Sequence, residues 1–213
     1  MAAIVQFEKA GVSLGGRPIL RDLDLVVGPG EAVGVAGPNG SGKTTLVRTA
    51  ATLVSIDRGR VVVLGADTTR PGLETRRSIG LIGHQPFLIP QLTLVENLEH
   101  IARLAGVDVA RIPRALEVVG LADAAGRRAE ACSFGMRRRI EIAHLLLTRP
   151  LLLLLDEAAS GLDEAARTLI SALVESVLER GGGCIVVSHD HAHLLELCST
   201  VRTLSNGRLE DPS

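Results

Sequence analysis

The stretch Gly37-Pro38-Asn39-Gly40-Ser41-Gly42-Lys43-Thr44 has the residue types and spacing to handle phosphate. Its glycines let successive backbone N–H groups turn toward phosphate oxygens, and the positive end of a following helix adds to the attraction. Lys43 would reach the terminal phosphates, and the Thr44 hydroxyl would take one Mg²⁺ position. The stretch fits the phosphate-loop pattern G-x-x-x-x-G-K-[ST] at every fixed position. An apolar run, Ala32 to Ala36, precedes it, and a helical segment starting at Thr45 follows. That setting separates a phosphate loop from an ordinary glycine-rich turn. A second chemical pair, Asp156-Glu157, ends the apolar run Leu151 to Leu155. Acids at the C-terminal end of a buried parallel strand fall where open α/β sheets bind ligands. Asp156 is the expected Mg²⁺ ligand, through water, and Glu157 the expected general base. The chain is expected to bind a nucleotide.

Two other clusters could suggest different chemistry. His189, His191 and His193 form an H-x-H-x-H run that could hold zinc or copper if extended. Asp190 reads as a helix N-cap, however, and on a helix His191 and His193 would not face one another. Arg137-Arg138-Arg139 could touch RNA, but three arginines on one helix read better as a solvated or nucleotide-adjacent face.

The elements that must position these residues follow from hydrophobic period and turn residues. Residues 3–9, 22–27, 60–64 and 78–83 read as strands, and the N-terminal 3–9 and 22–27 are joined without a helical crossover. An antiparallel sheet beside the nucleotide core is therefore expected. From Leu92 to about Leu147 the pattern turns helical, with Thr93 and Glu96 spaced as a capping box, Pro113 opening a helix and Gly120 closing it. A further helix is expected from near Phe134 to Pro150. Leu151 to Leu155 reads as a buried parallel strand, 164–180 as a helix, Cys184 to Val187 as another buried strand and 191–197 as a last helix. A hairpin around Ser205-Asn206-Gly207 ends the pattern.

Composition excludes several classes. The chain has 213 residues, the size of one domain with an insertion, and 46% apolar residues, ample for a core. A formal net charge of −1 gives no basic field for nucleic acid or anionic lipid. Cys132, Cys184 and Cys198, odd in number and without C-x-x-C spacing, suggest reduced thiols in the cytosol. Neither a signal peptide nor a membrane span is expected from the pattern, so membrane contact would come only through a partner.

Together these segments resemble the ATP-binding-cassette family of transport ATPases, from about Ile4 to Leu209. The resemblance implies an α/β fold: a P-loop NTPase core with a doubly wound, mainly parallel sheet, an N-terminal antiparallel β-subdomain and an inserted α-helical subdomain. The whole of 1–213 would be one such domain, with about 1–84 and 148–213 forming the core and about 85–147 the helical subdomain. It also implies ATP and Mg²⁺ as ligands. Gln85 stands at the position of the family's glutamine that senses the γ-phosphate through Mg²⁺ and water. Ser160-Gly161-Leu162-Asp163 matches the segment that lies across a dimer interface, and His189 matches the histidine that contacts the γ-phosphate. The family signature L-S-G-G-Q is represented by Cys132-Ser133-Phe134-Gly135-Met136, in which Ser133 and Gly135 would meet the nucleotide of a second copy. Phe134 departs from the pattern, where a glycine is usual, and puts the close backbone approach there in question. Leu14 falls where the family stacks an aromatic ring on adenine, which implies weak discrimination between ATP and GTP.

The implied assembly is a head-to-tail homodimer, or a pseudo-symmetric heterodimer, of ATPase subunits bound to integral membrane permeases at the cytoplasmic face. The apolar Phe87-Leu88-Ile89 would help receive a permease helix. A soluble ATP-driven switch is disfavoured by the single cassette and short insert, and a metabolite kinase by the order of Gln85, Ser133, Asp163 and His189. Gly83-His84-Gln85-Pro86, the segment Leu92 to Leu98 and the short chain resemble ATPase subunits of haem exporters used in cytochrome c maturation. The signature segment and Ala158 resemble instead the ATPases of drug, bacteriocin or lipid exporters.

Overall fold

Gly15 and Gly16, both at positive φ, turn the N-terminal chain back on itself. β1 (Val5–Leu14) therefore pairs antiparallel with β2 (Arg17–Val27). The first strand is expected to stop at residue 9, but it continues through an irregularity at Lys9, whose φ is positive, at 45°. The slip in register there lets both halves of β1 bury their apolar side chains. The computed structural model describes residues 2–210, so Met1 and residues 211–213 lie outside the described residues.

After β3 (Glu31–Ala36) and α1 (Lys43–Ala50) come β4 (Arg58–Val63), β5 (Ala66–Asp67), the short α2 (Leu73–Arg77) and β6 (Ile79–Ile82). Three helices follow: α3 (Leu94–Ala105), α4 (Ile112–Val118) and α5 (Phe134–Thr148). β7 (Leu152–Asp156), α6 (Glu164–Glu179), β8 (Gly183–Val187), α7 (His191–Leu197), β9 (Thr200–Ser205) and β10 (Arg208–Leu209) complete the order. The chain divides into two units, Met1–Gly83 with Pro150–Ala158 and Val174–Ser213, and His84–Arg149 with Ala159–Leu173. Residues 159–173, read from sequence as part of the core, group with the second unit.

The first unit holds two sheets. One is antiparallel, in the order β2-β1-β4-β5. The other runs β10-β9-β3-β8-β7-β6, with its four pairings from β9 to β6 parallel and only the terminal hairpin antiparallel. Parallel strands covered on both faces need apolar side chains on both, and every residue of β7 and of β8 is buried. Phe7, Leu20, Leu46, Leu154 and Ile185 belong to one hydrophobic cluster. Each such burial is worth roughly 1.5–3 kcal/mol, which fixes α1 against the sheet. Cys184 and Cys132 are buried and Cys198 is partly buried. Burial pushes the Cys184 thiol well up and that of Cys198 up to about 12.

In the second unit, Thr93 and Glu96 form the expected capping box at the start of α3. The buried Asn97 side chain accepts from Ile89 N at 2.8 Å and donates to Ile89 O at 3.1 Å, tying down the chain before the helix. α5 contributes Ile140, Ile142, Ala143, Leu145 and Leu147 to the interior. The arginine run on this helix is not one solvated face, because successive helical residues point about 100° apart. Arg138 is 0% exposed and pairs with Glu141 at 2.6 Å, whereas Arg137 donates to Cys132 O and Arg139 pairs with Asp163.

Desolvation pushes the imidazole of His144, also on α5, down from 6.5 to about 4. Between these values the unfolded chain holds more protons than the folded one, so stability rises with pH through that window. Acidification across it is expected to remove up to about 3 kcal/mol, at about 1.36 kcal/mol per pKa unit. Urea midpoints measured against pH check this: His144→Leu should flatten the slope, and an unchanged slope would exclude His144 as its source.

Candidate nucleotide site

Parallel register brings three strand ends together in the first unit. Val35 of β3 and Asp156 of β7 both pair with Val187 of β8, so the chain leaves all three strands at one edge. From β3 emerges the loop 37–42, from β7 the pair Asp156-Glu157, and from β8 Ser188-His189. A cleft of about 270 Å³ opens there, lined by Ile19, Asn39, Gly40, Gly42, Lys43, Thr44, Thr45, Asp156 and Glu157. A neighbouring cleft is lined by Pro18, Ile19, Arg21, Pro38, Asn39, Gly40, Ser41 and the Ser205–Gly207 turn.

Close packing explains two of the loop glycines. A Cβ on Gly37, at φ 150°, would collide with Leu204 O, and one on Gly42, at φ 110°, would lie 2.9 Å from Leu20 Cδ2. Gly42 is also the N-cap of α1 and supplies no capping side chain, so the first N–H groups of the helix are left to another acceptor. Ser41 Oγ is buried without a hydrogen-bond partner among the described residues. Lys43, itself buried, donates from Nζ to Gly37 O at 2.6 Å and to Pro38 O at 3.1 Å. Uncapped N–H groups, an unpartnered hydroxyl and an ammonium group suit an oxyanion such as a phosphate chain.

The carboxylates divide between two tasks. Thr44 Oγ1 lies 3.2 Å from Asp156 Oδ1, which places two hard oxygen donors side by side. That donor chemistry fits Mg²⁺. Glu157 Oε2 accepts from Ser188 Oγ at 3.3 Å and lies 2.9 Å from His189 Nδ1. Its backbone is left-handed, at φ 54°, and its N–H donates to Val187 O, so the residue is turned away from the line of β7. His189 lies just before α7, whose N-cap Asp190 accepts from His193 N as expected. Among the described residues no group of three or more His, Cys, Asp or Glu side chains is gathered to hold a metal.

Leu14 ends β1 at 45% exposure and lines neither cleft; Ile19, on the partner strand β2, lines both. Ser188 and Ile19 were not singled out from sequence. Ser188 had a signal in its position beside His189, whereas Ile19 looks like any other strand residue.

The remaining candidates belong to the second unit. Gln85 is exposed in the irregular segment that opens it. Ser133 caps α5 by accepting from Met136 N at 3.2 Å, which leaves its O–H as a donor. Gly135 sits in the first turn of α5, where an added Cβ would meet nothing within 4 Å. Neither its φ nor packing inside this chain calls for glycine. Asp163 accepts from Ala166 N at the start of α6 and pairs with Arg139 Nη2, both at 2.8 Å. The backbone hydrogen bond, and then Arg139, hold its carboxyl below the usual range.

A family model described as ABC transporter matches residues 20–160. The uncharacterised ABC transporter ATP-binding protein YhcH of Bacillus subtilis (strain 168) is 34% identical over 213 residues, covering 99% of this chain and 70% of that protein. Nod factor export ATP-binding protein I of Cupriavidus metallidurans is 32% identical over 212 residues, covering 98% and 70%. The Fe(3+) ions import ATP-binding protein FbpC of Streptomyces coelicolor is 35% identical over 212 residues, covering 97% and 61%. Among solved structures, a dimeric ATP-binding cassette in a post-hydrolysis state, bound to ADP and Pi, matches with a TM-score of 0.86 at 25% identity, covering 98% of this chain and 97% of that one.

Proposed function

The chain belongs to the ABC transporter family, and from that premise we propose that it is the ATP-hydrolysing subunit of an exporter, working as a pair of copies. The observation that supports the site assignments best is the convergence of Lys43, Thr44–Asp156 and Glu157–His189 at one sheet edge. Lys43 would exchange its two loop carbonyls for phosphate oxygens and offset their charge. Thr44 and Asp156 would hold Mg²⁺, with Gln85 joining them as the resemblance implies. When held there, Mg²⁺ would supply charge neutralisation at the phosphates and electron withdrawal from phosphorus. Glu157 would take a proton from water as the water oxygen bonds to the γ-phosphorus. The bond from that phosphorus to its bridging oxygen breaks, and ADP leaves with the electron pair. His189 and Ser188 hold the Glu157 carboxylate in place. With Nδ1 engaged, the γ-phosphate contact assigned to His189 falls to Nε2.

Ser133 and Gly135 are proposed to face the nucleotide of the second copy, which fits a glycine with open space around it. Asp163 would lie at the interface between copies. Phe87, 70% exposed, and the neighbouring Ile89 are the proposed seat of a permease helix, so the chain would work at the cytoplasmic face of a membrane through that partner. No helix among the described residues is long and apolar enough to cross a membrane.

Export is the proposed direction, supported by the Nod factor export relative and by the likeness of the signature segment to exporter ATPases. Haem is the narrower cargo reading of residues 83–98, while two of the three relatives are named for Nod factor and Fe(3+). Capturing the tagged chain with its membrane protein, and reconstituting both in vesicles with the ATPase outside, tests direction and cargo together. ATP-dependent accumulation inside is expected. Movement outward would overturn export, and a partner unlike the cytochrome c biogenesis permeases would remove haem.

A further inference from the structure

Within the second unit the segment around Gln85 is held at several points. Arg138 Nη2 donates to His84 O at 3.1 Å, and Glu141 Oε1 accepts from Phe87 N at 2.9 Å. Asn97 holds Ile89 through both its N–H and its carbonyl. The backbone is thus anchored on either side of Gln85-Pro86, while the Gln85 side chain stays exposed. Both inner anchors come from α5, the helix that starts at the signature segment.

The guanidinium that makes the first anchor stacks over a ring. Arg138 Cζ lies 5.2 Å from the centroid of Phe134. Arg138 is 0% exposed, and its Nε has no hydrogen-bond partner among the described residues. Burying a guanidinium is costly unless something compensates for the lost water. Here Glu141 supplies the charge, His84 O a hydrogen bond and Phe134 a π face, which is worth more when desolvated. Phe134 therefore has a function inside the chain, at the position that the signature pattern gives to glycine.

We propose that Phe134, Arg138 and Glu141 are positioning residues that join the Gln85 segment and the start of α5 into one rigid piece, so that Gln85 and Ser133 move together. The ring orients the guanidinium, the guanidinium holds His84 and the Glu141 carboxylate, and the carboxylate holds Phe87. None of the three needs to touch nucleotide. The functional consequence rests on the roles proposed above for Gln85 and Ser133, but the mechanical link does not.

Hydrogen exchange at the Phe87 amide, read alongside ATP binding and steady-state hydrolysis, tests the link with Phe134→Gly, Phe134→Tyr and Glu141→Gln. Phe134→Gly should speed exchange at Phe87 by about 2- to 30-fold, the range of one cation–π contact. It should lower kcat while leaving ATP affinity within about 2-fold, since the phosphate loop belongs to the other unit. Phe134→Tyr keeps the aromatic face and should restore both wild-type exchange and kcat. Glu141→Gln, which removes the charge but keeps the shape, should also loosen Phe87. Unchanged exchange in Phe134→Gly would overturn the proposal, as would faster hydrolysis in that variant with Phe87 still protected. Because exchange is read without nucleotide, a protein that failed to hydrolyse ATP would count against the proposed function and leave this link standing on its own result.

Discussion

Glu157→Gln is expected to slow ATP hydrolysis by about 10²- to 10⁴-fold, the usual contribution of a positioned general base. That corresponds to about 3–5 kcal/mol on the barrier. The substitution keeps the shape of the side chain, and the amide oxygen can still accept from Ser188 Oγ and face His189 Nδ1. What is lost is the basic carboxylate. ATP should bind as before, and with turnover blocked the paired state should accumulate, seen as an ATP-dependent shift to dimer in size-exclusion chromatography. Phosphate release at the wild-type rate would mean that another group takes the proton.

Lys43→Ala should act on binding instead. Charge-assisted hydrogen bonds are worth roughly 1.5–3 kcal/mol each, so affinity for ATP should fall by about 10- to 150-fold. Titration with a fluorescent ATP analogue measures it. Lys43 also braces the loop from within through Gly37 O and Pro38 O, so part of the loss would come from a looser loop. A thermal melt of the ATP-free protein separates the two: a large drop in Tm assigns the effect to the brace, and a small one to the lost contact with phosphate. Wild-type affinity would remove Lys43 from the site.

The parts legible in the sequence are those in which local pattern and tertiary role coincide. The phosphate loop declares itself by spacing, the β7 acids by the apolar run before them, and the start of α3 by Thr93 and Glu96. The start of α7 follows from the Asp190 cap. Other parts are hidden because their partners lie far away in the chain. β9 pairs in parallel with β3 inside the main sheet, yet Thr200, Arg202 and Thr203 give it a mixed pattern that looked like one arm of a terminal hairpin. α2 buries none of its residues and so leaves no apolar stripe to detect. The meeting of Glu157 with His189 depends on strand order, which no local window contains. Arg138 misleads most: three arginines in a row suggest water, and only the fold supplies a carboxylate, a carbonyl and a ring around the middle one.

The sheltered cysteines have a practical consequence for anyone measuring distances in this protein. A thiol reacts as thiolate. Cys184 lies wholly inside the sheet, and Cys198 is pushed up to about 12, so neither offers much thiolate at neutral pH. Cys132 is buried, with its Sγ 3.3 Å from Arg128 O. The native chain is thus close to a blank background for maleimide chemistry. A single cysteine introduced on an exposed position could carry a dye or spin label without first stripping out the natural three, and the approach of two copies could be followed in an otherwise unaltered molecule.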